Sequence, residues 1–127
     1  MKKLHKVAIV DPHEELARAY QKRLSIEGFE VYVFNNAQAA VSIMIDLPFD
    51  AIITEYQLPD MSYADFYDSM QSINDGYNMP IIVLSSNDTS GPKGWRNLNE
   101  IENYFVKSKT HPNDIIDRLR YLLRIEA

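Results

Sequence analysis

The chain has 127 residues, of which 46% are hydrophobic and 24% charged. That is one domain of ordinary length, able to remove roughly two-thirds of its unfolded surface from water, which argues against disorder. Lys and Arg number 13 against 18 Asp and Glu, and there is no cysteine; the acidic balance disfavours a nucleic-acid groove, and disulfides, thiolate metal sites and thiol catalysis are excluded outright.

Residues 6–10 (KVAIV) form a short apolar run that reads as a strand, closed by Asp11-Pro12. Asp11 is expected to cap the first helix, with Pro12 at its first position and Glu14 completing a capping-box pattern. Leu16, Ala17, Tyr20 and Leu24 follow at helical spacing until Gly28 stops the helix. Residues 30–34 (EVYVF) make a second strand, Asn35-Asn36 punctuates it, and Ala37, Ala40, Val41 and Met44 give a second helical stripe. Residues 50–54 (DAIIT) are the third strand, followed by Glu55 and a loop holding Pro59-Asp60. Phe66, Met70 and Ile73 mark a third helix, and residues 80–84 (PIIVL) a fourth strand bounded by Ser85-Ser86. Residues 87–100 (NDTSGPKGWRNLNE) fall where a fourth helix belongs. Gly91, Pro92 and Gly94 oppose one there, at ~1 kcal/mol per Gly and ~3 per interior Pro, so a loop with at most a short helix at 95–98 is predicted. Residues 103–106 (NYFV) form the fifth strand. Thr110 and Asn113 are candidate caps of a final helix that turns Ile115, Ile116, Leu119, Leu122 and Leu123 inward and Asp117, Arg118 and Arg120 to solvent.

Strands alternating with helices imply an α/β fold with a parallel sheet covered on both faces. Such sheets bind ligands at the carboxyl ends of their strands. The residues leaving those ends are Asp11, Glu55, Ser85 and Lys107, two carboxylates, a hydroxyl and an ammonium on one edge. Together they suit a polar site that binds a cation, holds a salt bridge or accepts a phosphoryl group.

At this point the chain resembles the receiver domain of two-component response regulators along essentially its whole length. Asp50-Ala-Ile-Ile-Thr-Glu55-Tyr-Gln-Leu-Pro59 is similar to that family's third strand and loop, in which the acceptor aspartate stands four residues before a proline; Glu55 falls on the acceptor position. Pro80-Ile-Ile-Val-Leu-Ser85-Ser86 is similar to the fourth strand and sets Ser85 on the switch Ser/Thr. Asn103-Tyr104-Phe-Val-Lys107 sets Tyr104 on the switch aromatic and Lys107 on the site lysine. Val7-Ala-Ile-Val-Asp11 sets Asp11 on the first member of the acidic pair. The resemblance implies a flavodoxin-like, doubly wound sheet of order 2-1-3-4-5 with an irregular or shortened fourth helix, and a single receiver-like domain over residues 1–127.

The departures fall at the site. The second acidic residue, a principal Mg²⁺ contact in the family, is Pro12; the acceptor aspartate is Glu55; the proline that usually follows the lysine is Ser108. Phosphoryl transfer needs in-line positioning and a divalent ion on the transferring oxygens. The lost carboxylate removes charge and a ligand, and an acceptor displaced by one methylene, about 1.5 Å, commonly costs ~10²-fold in rate. Mg²⁺ is therefore expected to bind weakly at best, with Asp11, Glu55 and a carbonyl near Gln57 as remaining ligands and Glu14 or Glu15 as substitutes. The expectation is an atypical receiver, not an enzyme, that acts through protein contacts without aspartyl phosphorylation. A Glu55–Lys107 ion pair would hold a fixed conformation; glutamate at the acceptor sometimes imitates the phosphorylated state in the family. The alternative is an active receiver phosphorylated at Glu55 by a histidine kinase. A flavodoxin-like cofactor binder or small-metal hydrolase fits less well, because Asp-Pro-His-Glu-Glu stands where a phosphate loop would follow the first strand.

Other residues have plainer readings. His5, His13 and His111 share no metal-ligand spacing and read as surface residues, His13 as part of a helix start. Asp60 can extend the acidic cluster, Asp65 suits a helix N-terminus, and Tyr56 and Tyr104 are the tyrosines nearest the site. Trp95 either plugs a gap in the irregular segment or anchors a partner. Residues 87–124 form the expected partner or self-association surface, with more Lys and Arg than Asp and Glu. The sequon at Asn87 is without meaning unless the chain is secreted. No apolar run reaches the length of a membrane span and no secretory segment opens the chain, so no membrane contact and a cytoplasmic location are expected.

Overall fold

The alternation of apolar runs and amphipathic stripes builds a three-layer sandwich in the computed structural model, which describes residues 4–73, 79–86 and 103–125. Five strands, β1 (Lys6–Val10), β2 (Glu30–Phe34), β3 (Ala51–Thr54), β4 (Ile81–Ser85) and β5 (Tyr104–Val106), pair in parallel in the order β2-β1-β3-β4-β5. The helices are α1 (Glu14–Ile26), α2 (Ala37–Met44), α3 (Tyr63–Ile73) and the final helix α4 (Pro112–Leu123); a 3₁₀ turn, Lys107–Lys109, joins β5 to α4. The segment 87–100, with its expected irregular fourth helix, Trp95 and the sequon, lies outside the described residues.

The two-residue period of the strands divides the core. Val7, Ile9, Ile53, Ile82 and Leu84 pack with Ala17, Tyr20 and Leu24 of α1 and Ile115, Ile116 and Leu119 of α4. Ala8, Val10, Ile52 and Val83 pack on the other face with Ala37, Ala40 and Met44 of α2 and Tyr63, Phe66 and Met70 of α3. Both faces of β1, β3 and β4 are covered, which is why these strands read as continuous apolar runs rather than alternating ones.

The turn chemistry differs from the sequence expectation at two helix caps. Asp11 does not cap α1; the cap position is His13, and the helix begins at Glu14. The Asp11 carboxylate instead accepts the His13 amide at 2.8 Å, a local turn across Pro12. The final helix is capped by His111 rather than by Thr110 or Asn113: its Nδ1 accepts the Asn113 amide at 3.0 Å while Asp114 accepts the His111 amide at 2.9 Å, with Pro112 at the first turn. Arg118 and Arg120 are not merely solvated. Arg120 pairs with Glu27 at 2.9 Å, and the Arg118 guanidinium lies 5.9 Å from the Phe105 ring centre and 5.7 Å from that of Tyr121. Gly28, at φ +100°, ends α1 in a conformation that a side chain would oppose.

Candidate functional site

Register places the site. Val10 lies opposite Thr54, and Thr54 opposite Val83, so the chain leaves β1 at Asp11 and β3 at Glu55 at one level of the sheet. The Glu55 amide donates to the Val10 carbonyl at 2.9 Å, and the Asp11 amide to the Phe34 carbonyl at 2.9 Å. The ladder thus fixes both backbones. Ser86 follows β4, and Lys107 follows β5 as the first residue of the 3₁₀ turn.

Glu55 is 1% exposed and Asp11 4%. Carboxylates buried this deeply need donors, and both have them. Glu55 Oε2 accepts the amides of Tyr56 (2.6 Å) and Gln57 (3.2 Å). Its Oε1 accepts the Ser86 amide (3.0 Å), the Ser86 hydroxyl (3.1 Å) and the Lys107 ammonium (3.1 Å). The same ammonium lies 2.8 Å from Asp11 Oδ2 and 3.0 Å from His13 Nδ1. Burial alone would raise the Glu55 carboxyl, but the Ser86 and Gln57 amides and the Lys107 ammonium outweigh it and hold it below the usual glutamate range. The anion is thus saturated with donors, and attacking a phosphorus atom would require it to give some of them up.

The expected Glu55–Lys107 pair is present, and Asp11 joins it. Ser85 is fully buried as the last residue of β4, opposite Val106, and its neighbour Ser86 brings its amide and hydroxyl to Glu55. Tyr104 begins β5 opposite Val83 and packs, half-buried, against the α2–α3 side of the core. Tyr56 stacks at 5.3 Å on Tyr63 and contributes its amide to Glu55. Asp65 stands in the first turn of α3, as expected.

Sequence reasoning missed Ser86 and set aside His13. The Asp-Pro step was the available signal for His13, since it starts the turn that brings the imidazole back over Asp11. Asp60 does not extend the acidic cluster. Its carboxylate accepts the Ala37 and Gln38 amides at 2.9 and 2.8 Å and so caps α2 from across the sheet edge. Its partial desolvation would raise its carboxyl, but those amides hold it below the usual aspartate range.

The Mg²⁺ implied by the resemblance finds no suitable cage among the described residues. Mg²⁺ demands near-octahedral oxygen ligation. Residue 12 is proline, and the carboxylates of Asp11 and Glu55 are engaged by Lys107. The third donor grouped with them is an imidazole nitrogen, that of His13. Glu14 pairs with Arg18 on the outer face of α1, at 3.7 Å, and neither Glu14 nor Glu15 joins the group. The residues do not fit the ion.

Residues 7–120 match the family model described as the response regulator receiver domain. The chain is 22% identical over 116 residues to the heme response regulator HssR of Staphylococcus epidermidis, covering 91% of this chain and 50% of that protein. It is 25% identical over 122 residues to the transcriptional regulatory protein SrrA of Staphylococcus aureus, covering 94% and 48%. The chain therefore spans about half the length of these curated relatives. Among solved structures, the chemotaxis response regulator CheY4 of Vibrio cholerae superposes with a TM-score of 0.79 at 22% identity, covering 94% of this chain and 99% of that one. A CheY-like receiver domain from Methylobacillus flagellatus gives a TM-score of 0.76 at 16% identity, covering 94% and 99%.

Proposed function

Because the chain belongs to the response regulator receiver domain family, we propose that it is an atypical receiver, a signalling module that works through protein contacts without taking up phosphate at Glu55. The observation that carries this is the saturation of Glu55: amides of Tyr56, Gln57 and Ser86, the Ser86 hydroxyl and the Lys107 ammonium all reach its two oxygens. Glu55 stands at the acceptor position and Lys107 at that of the site lysine, with Ser85 and Tyr104 at the switch positions. The ion pair then fixes one arrangement of the site in the absence of a phosphoryl group.

The output surface in this reading is the β5–α4 face within residues 87–124. It carries a groove of about 470 Å³ lined by Phe105, Asp114, Asp117, Arg118 and Tyr121. Its occupant is a protein partner with an acidic side chain for the edge of the stacked Arg118 guanidinium and apolar surface for Tyr121, which is 74% exposed. Trp95, read from the sequence as a candidate partner anchor, lies outside the described residues.

Intact-mass measurement after incubation with acetyl phosphate and Mg²⁺ tests the reading. The expected result is an unchanged mass. A stoichiometric gain of one phosphoryl group, lost in Glu55→Gln, would instead support the alternative, an active receiver that takes up phosphate at Glu55.

A further inference from the structure

We propose that His111 makes the start of α4 acid-sensitive: its imidazole closes the capping box only while Nδ1 carries no proton, so acidification through the imidazole range, about pH 8 to 5, opens the helix beside the groove. The device itself does not depend on how Glu55 behaves; only its effect on a partner rests on the reading of this groove as the output face.

The geometry of the cap supplies the first argument. Pro112, in the first turn, has no amide hydrogen, so the Asn113 amide is the first donor that α4 must satisfy. It donates to His111 Nδ1 at 3.0 Å, which makes Nδ1 an acceptor and places the imidazole proton on Nε2. Asp114 completes the box by accepting the His111 amide at 2.9 Å. The usual capping residues, Ser, Thr, Asn and Asp, accept through an oxygen that stays an acceptor across the imidazole range. Histidine does not. A proton on Nδ1 would meet the Asn113 N–H hydrogen to hydrogen, and the bond cannot form. His111 is exposed, so solvent protons reach it.

The charges around the imidazole supply the second. A cation at a helix N-terminus meets the positive end of the helix dipole. Arg23 of α1, itself paired with Glu27 at 3.6 Å, adds to it by donating to the side-chain oxygen of Asn113. Lys109 of the 3₁₀ turn stands two residues before His111. Asp114 opposes these cations, and behind it Tyr20 of α1 is a neutral phenol, its hydroxyl raised by burial and by Asp114. The Asp114 carboxylate is already engaged by the His111 amide, so it can turn to an imidazolium only by leaving its place in the cap. Losing the Nδ1 bond and rotating toward Asp114 both dismantle the box. Asp114 also lines the groove with Phe105, Asp117, Arg118 and Tyr121. On the other side, the Thr110 hydroxyl donates to the Val106 carbonyl at 2.6 Å and ties the Lys107 turn to β5. The loosening therefore passes into the groove wall rather than into the polar site.

Amide NMR and hydrogen exchange of the full chain between about pH 8 and 5 test this, in the wild type and in His111→Asn, a cap with no proton to gain. His5 and His13 are present in both proteins, so the difference between them isolates His111. In the wild type, the Asn113 and Asp114 amide resonances are expected to move together with the His111 ring. Protection of the Asp114 and Ile115 amides, corrected for intrinsic exchange, should fall about threefold or more, the lower end of what a cap is worth. In His111→Asn both should stay level. Equal pH dependence in the two proteins would overturn the proposal, as would a His111 ring that titrates without moving the Asn113 amide. Should His111→Asn fail to fold, the wild type decides alone: a shared midpoint for ring and amide supports the device, and separate midpoints overturn it. None of these readouts involves phosphate, so failure here leaves the mass measurement untouched.

Discussion

At the scale of single residues, Glu55 and Lys107 hold each other in place. Lys107 balances charge that Asp11 and Glu55 bring into a nearly water-free pocket. Breaking such a cluster from one side leaves uncompensated buried charge, so Lys107→Ala is expected to lower stability by about 3–5 kcal/mol in urea unfolding at neutral pH. A loss below about 1 kcal/mol, the size of an exposed pair, would mean that the pocket is wetter than its burial indicates. Acid tests the other partner. Glu55 titrates below its ordinary value in the folded protein, so its contribution is fully present above the unfolded value and fades as pH falls through the folded one. Melting temperatures below about pH 4 to 5 should therefore fall more steeply for the wild type than for Glu55→Gln; parallel curves would remove Glu55 from the account. The sequence disclosed much of this site because strand ends in a parallel sheet share one edge, so Asp11, Glu55 and Lys107 could be brought together from their positions alone. Ser86 and His13 could not. His13 depends on a turn around Pro12, and both are decided by side-chain geometry rather than by residue type.

At the scale of elements, strands and helix faces were legible because burial dictates them. The buried side chains of α1 (Ala17, Tyr20, Leu24) and of α4 (Ile115, Ile116, Leu119) recur at helical spacing and face the same side of the sheet. Helix ends were less legible, since several neighbouring polar residues could serve as each cap and the choice rests on local dihedral angles. Asp60 illustrates the limit. It closes the first turn of α2 from the loop after β3, more than twenty positions away in sequence, while Asn36 supplies the local cap by accepting the Ala39 amide at 2.8 Å. No local pattern announces such a bond. Asp60→Ala is expected to cost about 0.5–2 kcal/mol, the usual worth of a cap. Hydrogen exchange at the Ala37 and Gln38 amides should accelerate, with α4 unaffected. Unchanged protection at those two amides would show that Asn36 alone secures the helix.

At the scale of the whole molecule, the sheet connects a closed polar site to a groove that is still open. Lys107 follows β5 directly, and Phe105, two residues earlier, lines the groove with Arg118 and Tyr121 of α4. A conformation fixed at Lys107 is therefore fixed next to the proposed output face. Tyr121→Ser removes an exposed aromatic, so it should weaken partner binding or self-association while leaving the melting temperature within the small range of surface changes. A large loss of stability with unchanged association would assign Tyr121 to the fold instead. The central claim, that the site is complete without phosphate, is tested most directly by amide NMR spectra recorded with and without Mg²⁺ and beryllofluoride, which stands in for a phosphoryl group. Unchanged resonances are expected at Tyr56, Gln57, Ser86 and Lys107 and along α4. Saturable shifts at Ser86 and Lys107 that spread to Phe105 and α4 would contradict it, because they would show a site that still waits for a phosphoryl group to set its conformation.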